Sequence, residues 1–250
     1  TTERKFSGEG GSGSPSLWVE PNQAVGRTPY YNSPMAVTIS GLPPVKKVVM
    51  AHDDYFVSAL ACALAEDGDV YCWGNDHSLA DPTLPVHPQK VPGLSAISDI
   101  AFEPDPDDAT KRGNRLLMVL DSSGAVSSWD GQTLTQVTTD IVSLSNWGDC
   151  GITPQGTVKC FDVVTGAETN IDNTADTVKV SSHCALNTEG HVACWVGDLT
   201  SALPVNIPDY GGSTPLEATE ISNSCALTTN GVTKCWDYNS GTKQPVFASD

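Results

Sequence analysis

Basic side chains are scarce in this chain: 13 lysines and arginines stand against 30 aspartates and glutamates, a net charge of −17. Such a surface repels nucleic acid unless its cations gather in one patch, and no basic cluster is present. Anionic membrane surfaces are disfavoured for the same reason. No apolar run approaches the roughly 18 residues a membrane-spanning helix requires. Sustained 3.6-residue periodicity is missing, so no amphipathic helix is expected. The chain has no Asn-x-Ser/Thr sequon, no Gly-x-Ser-x-Gly elbow and no phosphate-cradling glycine loop, which removes N-glycosylation and the commonest hydrolase and nucleotide-binding signatures. It also lacks Cys-x-x-Cys, so its cysteines do not have the spacing of a zinc site. With neither an initial Met nor a signal-type apolar stretch, it reads as a processed, mature product.

The eight cysteines form four pairs ten residues apart: Cys62/Cys72, Cys150/Cys160, Cys184/Cys194 and Cys225/Cys235. Each pair brackets a glycine, six residues after the first cysteine, that closes a three-residue loop: Gly68, Gly156, Gly190 and Gly231. A type I turn ending in a left-handed residue builds such a hairpin, and glycine adopts that conformation without strain. Counting outward from the Glu66-Asp67-Gly68 loop sets Leu64 opposite Val70 and Cys62 opposite Cys72 at a non-hydrogen-bonded site. Cα atoms there lie about 4.5 Å apart, within disulfide reach. Leu64 and Val70 share the cysteine face, while Tyr71 and Trp73 take the other. A fifth copy, Met118 to Ser128 around Gly124, has lost both cysteines together, as expected of bonded partners. Paired cysteines imply an oxidising compartment: secreted, extracellular, periplasmic or cell-surface.

An aromatic residue follows each hairpin: Trp73, Trp129, Phe161, Trp195 and Trp236, spaced by 56, 32, 34 and 41 residues. Their fixed place in the repeat marks them as packing residues between units. Upstream of several copies comes a Pro-x-x-Val element and then a β-rich stretch, as at Pro34, Pro88 and Pro204. These spacings bracket those of a four-stranded propeller blade. Trp18 stands 55 residues before Trp73 and is placed to mark a further blade. Lys243–Asp250 reads as the opening of another unit. The expectation is an all-β propeller of four-stranded blades, six in number, with five or seven also compatible with the spacing, whose two termini meet to close the ring. Residues 1–16, polar and rich in glycine and serine, form a flexible arm or linker, and residues 17–250 a single propeller domain.

The segment Cys62-Ala-Leu-Ala-Glu-Asp-Gly-Asp-Val-Tyr-Cys-Trp-Gly-Asn75 resembles the signature of the regulator of chromosome condensation repeat. The resemblance extends over residues 34–250 and is clearest in the first, fourth and fifth copies. The Gly-Gln-Leu-Gly loop of that family is absent, with His77-Ser-Leu-Ala80 in its place. The resemblance implies a propeller of four-stranded blades. It implies little about activity, since the family includes an exchange factor for a small GTPase, a plant light sensor and β-lactamase inhibitors.

Candidate contact residues lie where the repeat is interrupted. His52, Asp53, Asp54 and Tyr55 form an insertion before Cys62. Trp147 stands off the repeat register, and with Tyr30, Tyr31 and Tyr210 it belongs to loop-like segments suited to protein or sugar contacts. The carboxylates of Asp105, Asp107 and Asp108, in a second insertion, are a weak calcium candidate, because their proline-interrupted spacing departs from known loop motifs. His183, just before Cys184, resembles a framework position of the family. Sialidase-type boxes place Trp three residues after Gly, whereas Gly124 and Trp129 are five apart. No cofactor is implied. The sequence therefore points to a non-enzymatic binding or assembly module acting through loops on a rigid frame. A carbohydrate-binding lectin is the alternative, and a hydrolase or lyase a distant third.

Overall fold

In the computed structural model the chain divides into two units, Thr1–Ser40 and Gly41–Asp250. The structure describes residues 39–52, 59–75, 87–103, 116–163, 165–195, 205–207, 215–239 and 244–247. Among them there is no helix, and twenty strands form five antiparallel four-stranded sheets, the blades of a β-propeller. The first blade comprises β1 (Val45–His52), β2 (Ala59–Ala65), β3 (Val70–Asn75) and β4 (Gln89–Lys90). The second comprises β5 (Ile97–Phe102), β6 (Leu117–Asp121), β7 (Val126–Trp129) and β8 (Leu134–Thr138). The third comprises β9 (Ser143–Leu144), β10 (Cys150–Ile152), β11 (Val158–Phe161) and β12 (Glu168–Ile171). The fourth comprises β13 (Thr177–Ser181), β14 (Cys184–Asn187), β15 (Val192–Cys194) and β16 (Val205–Asn206). The fifth comprises β17 (Ala218–Ser222), β18 (Cys225–Thr228), β19 (Thr233–Asn239) and β20 (Gln244–Phe247).

The hairpin register is the one the glycines dictate. Cys62 pairs with Cys72 and Leu64 with Val70, and Met118 opposes Ser128 in the copy without cysteines. All four local disulfides form, with Cα separations of 4.1, 3.9, 4.0 and 4.0 Å. The five hairpin glycines have φ between +75° and +90°. In the second, fourth and fifth blades the residue before the turn helps to hold it: the side-chain oxygens of Asp121, Asn187 and Thr228 accept backbone N–H bonds from within their own loops.

Successive blades join through one repeated construction. The hairpin glycine carbonyl of one blade accepts the N–H of a residue that opens, or in the third blade leads into, the next inner strand: Ile97 to Gly68 at 3.0 Å, Ile141 to Gly124 at 3.1 Å, Thr177 to Gly156 and Ala218 to Gly190, both at 2.8 Å. Beside this bond, the cysteine-side face of each of the first four hairpins packs against the inner strand and hairpin aromatic of the blade that follows. Cys150, Ile152, Val158 and Cys160, for example, meet Val180, Ala185 and Trp195. Trp129, Phe161, Trp195 and Trp236 are all buried in this way. The aromatic that ends each of these four hairpins is thus a wedge driven toward the preceding blade.

Four of the inner strands carry a bulge after their first residue. It brings Lys47, Asp99, Lys179 and Glu220 to equivalent positions, with Ser143 at that position in the third blade. Lys47 Nζ lies 2.7 Å from Asp99, whose other oxygen accepts the Leu144 N–H at 2.9 Å. Lys179 pairs with Glu220. Burial, and next the charge of Lys47, push the Lys179 ammonium below the ordinary lysine range.

Two details differ from the repeat boundaries read in the sequence. The Pro-x-x-Val elements at Pro88 and Pro204 supply outer strands that finish a blade (β4 and β16), rather than openings of the next unit. Gln244–Phe247 likewise pairs with β19 as the outer strand of the fifth blade. Five blades stand among the described residues, within the expected range, and Trp18 lies outside them.

Candidate binding site

The inner and second strands of the third blade are joined by a tight turn, Ser145–Asp149, that is tied down on every side. The Ser145 hydroxyl accepts the Gly148 N–H at 3.0 Å and donates to Asp149 Oδ1 at 3.1 Å. Gly148 has φ +75°, and a Cβ there would stand 2.7 Å from Met118 Cγ of the second blade. Only glycine lets the turn sit so close. Trp147, at the tip, is held half-exposed.

Trp147 meets the fourth blade. Its ring lies edge-on to His183, with centroids 5.5 Å apart and planes at 77°. His183 in turn lies 6.1 Å from the buried Trp195 ring, and its Nε2 is 3.2 Å from Asp149 Oδ2. Asp149 and His183 occupy the same repeat position, the residue before the first cysteine. In each case the backbone carbonyl accepts the N–H of the hairpin aromatic, Phe161 or Trp195. The pair therefore bridges two successive blades at matched points.

Asn146 extends the bridge to the fifth blade. Its carbonyl oxygen accepts the Ser182 N–H at 2.5 Å and the Ser181 hydroxyl at 3.2 Å, and its amide donates to Asn223 at 2.8 Å. Asn223 N–H closes the network on Ser181 at 2.8 Å. Ser182 and Asn223 both hold left-handed φ, +53° and +50°, which the short turns β13–β14 and β17–β18 require. The result is a rigid ledge of turns from three blades with an aromatic tip, a carboxylate and an imidazole. Such a ledge suits contact and hydrogen bonding. Among the described residues no hydroxyl is hydrogen-bonded to His183; its polar partner is Asp149.

Of the candidates named from sequence, Trp147 takes this central place. His52 is the last residue of β1. Asp53, Asp54 and Tyr55 fall outside the described residues, as do Tyr30, Tyr31, Tyr210, Asp105, Asp107 and Asp108. Sequence reasoning passed over Asp149, Asn146, Ser181 and Asn223 and assigned His183 to the framework. The signal for the pair was available in the column before the first cysteine, where Asp149 and His183 stand beside Ser224. The Asn146 network has no periodic signature.

Residues 61–78 match the family model described as the regulator of chromosome condensation (RCC1) repeat. No curated protein matches the sequence. Among solved structures, human WBSCR16 is similar at 14% identity and a TM-score of 0.52, over 76% of this chain and 65% of that one. Prp20p from Saccharomyces cerevisiae, whose structure was described with its binding properties to Gsp1p and histones, is similar at 15% identity and a TM-score of 0.49, over 76% of this chain and 61% of that one. The computationally designed Ika8 protein gives 13% identity and a TM-score of 0.42, over 82% of this chain and 74% of that one. The chain spans less than two thirds of the length of the first two. The likeness to WBSCR16 is one of fold, and it agrees with the blades described above. The chain thus carries the regulator of chromosome condensation repeat, at residues 61–78, on a β-propeller fold.

Proposed function

We propose that this chain is a secreted or extracellular, non-enzymatic binding module that docks another protein, as part of an assembly, through the turns joining its inner and second strands. The observation that carries the reading is the Trp147–Asp149–His183 ledge, a half-exposed aromatic fixed by hydrogen bonds from three blades. Rigid aromatic anchors with hydrogen-bonding neighbours dominate binding energies at protein interfaces, because little side-chain freedom is lost on contact. The net charge of −17 favours a partner with a basic surface, and association that slows as salt rises. Four disulfides accord with an oxidising compartment.

The test is capture from the native extracellular fraction on the immobilised chain, beside Trp147→Ala and His183→Ala variants and a glycan array. A stoichiometric protein bound by the parent, and lost on Trp147→Ala while the melting temperature holds, supports the reading. Glycan binding lost on the same change would make the ledge a lectin site instead. Capture unaffected by both variants would remove the ledge from the function.

A further inference from the structure

Three carboxylates of the described ion pairs are enclosed to nearly the same depth: the side chains of Asp69, Asp99 and Asp149 are 17%, 15% and 17% exposed. Lysine answers the first two, Lys90 at Asp69 and Lys47 at Asp99. Asp149 has His183 Nε2 at 3.2 Å instead, and the Ser145 hydroxyl at 3.1 Å on its other oxygen. A neutral imidazole supplies a hydrogen bond but no charge. The turns that build the ledge, 145–149, 181–183 and 222–224, hold no lysine or arginine. Enclosing a carboxylate without a cation is costly. The group also has about four acceptor positions, of which Ser145 and His183 take one each.

We propose that the ledge receives an arginine side chain of the partner protein, an inference that rests on the docking role assigned to the ledge. The guanidinium donates to Asp149 and lies against the Trp147 indole. Both Trp147 and Asp149 meet the His183 ring, so a half-exposed aromatic surface and a carboxylate short of a counter-charge stand side by side. That pairing suits arginine among the cationic side chains. Its planar fork stacks on an aromatic ring and directs N–H groups at a carboxylate at the same time. A lysine ammonium is a compact, strongly hydrated point charge and gains less from the ring. An acidic side chain is repelled by Asp149, on a chain whose net charge is −17. His183 sets the strength of the site, because a fixed cation in its place would neutralise Asp149 and shut the arginine out.

The probe is Nα-acetyl-arginine methylamide, titrated into the full chain at about pH 8, where free histidine is neutral. The readout is the Trp147 indole N–H signal in proton–nitrogen NMR, identified by its loss in Trp147→Phe. A saturable shift is expected with the arginine compound, and binding weaker by about tenfold or more with its uncharged citrulline isostere. Asp149→Asn, which keeps an acceptor for Ser145, and His183→Lys are each expected to weaken the arginine compound to the level of citrulline. Asp140→Asn makes the same change in net charge at an exposed position of left-handed φ, and is expected to leave binding unaltered. Melting temperatures establish that each variant is folded, and the comparison of arginine with citrulline needs no variant. Equal binding of the citrulline or lysine counterpart, undiminished binding in Asp149→Asn, or a signal that never shifts overturns the proposal. A partner captured through Trp147, with no preference for arginine in the probe, would overturn this inference alone. Capture indifferent to Trp147→Ala would overturn the docking role itself.

Discussion

Gly190 and Gly231 occupy the same turn position in neighbouring blades, and replacing each with alanine separates the cost of the turn from the cost of the joint. Both have left-handed φ, +84° and +82°, so both substitutions carry a backbone penalty of about 1–2 kcal/mol. The surroundings differ. A Cβ on Gly190 would stand 3.0 Å from the Ala218 carbonyl oxygen, beside the 2.8 Å bond from Ala218 N–H to the Gly190 carbonyl. Relieving that contact pushes the inner strand away and weakens a buried hydrogen bond, which adds about 1 kcal/mol. It also loosens the packing of Leu186 and Val192 against Ile221 and Trp236. Gly231→Ala meets open space and incurs the backbone term alone. The expected losses are therefore about 2–3 kcal/mol for Gly190→Ala and about 1–2 kcal/mol for Gly231→Ala. Urea unfolding of both variants, with slopes compared to confirm one cooperative transition, measures the difference. Equal losses would refute the view that the joint bond organises the blades. A larger loss at Gly231 would show its face to be covered.

Access alone should order the disulfides: limited thiol treatment followed by peptide mapping is expected to open Cys225–Cys235 first, since its Cys235 is exposed while Cys62, Cys72, Cys150, Cys160, Cys184 and Cys194 are buried. Reduction in any other order would contradict that difference in exposure. Removing Cys62 and Cys72 together, as alanines, should cost about 2–4 kcal/mol from the loop-closure effect and leave a cooperative melt, because the surrounding apolar cluster remains; complete unfolding would mean the staple outweighs the core. The Asp121 carboxyl is held below its ordinary 3.8, first by the Ser123 hydroxyl and then by backbone N–H groups. Its contribution is therefore full above that ordinary value and lost as pH falls through the lowered folded one. The group is partly open to solvent, so the effect is about a few tenths of a kcal/mol. Asp121→Asn keeps an acceptor, as Asn187 does in the fourth blade, and should abolish that part of the acid sensitivity; an unchanged pH profile would assign it to other carboxylates.

The hairpin was legible because its constraints are local. A glycine at a fixed offset sets the register, the register sets the cysteine pairing, and alternation sets the buried face. The wedge role of Trp129, Phe161, Trp195 and Trp236 followed from their fixed place in the repeat. Outer strands were harder to place. β4 and β16 are two residues each and pair on one side only, so Pro88-Gln-Lys and Pro204-Val-Asn read equally well as the end of one blade or the start of the next. That ambiguity also made Lys243–Asp250 look like an opening, when Gln244–Phe247 completes the fifth blade. The ledge was half legible: Trp147 stood out because it breaks the repeat register. Asp149 was passed over and His183 looked like framework, because both obey it. Asn146, Ser181 and Asn223 are brought together by three successive blades, and nothing in their sequence spacing announces that meeting.

The most direct test of the binding account is amide hydrogen exchange on the chain, free and saturated with the protein it captures. The account predicts new protection at residues 145–149 and 182–183, with the glycine hairpin loops at 66–68, 122–124, 154–156 and 188–190 unchanged. Protection confined to those hairpin loops, with the Trp147 turn exchanging as before, would contradict it.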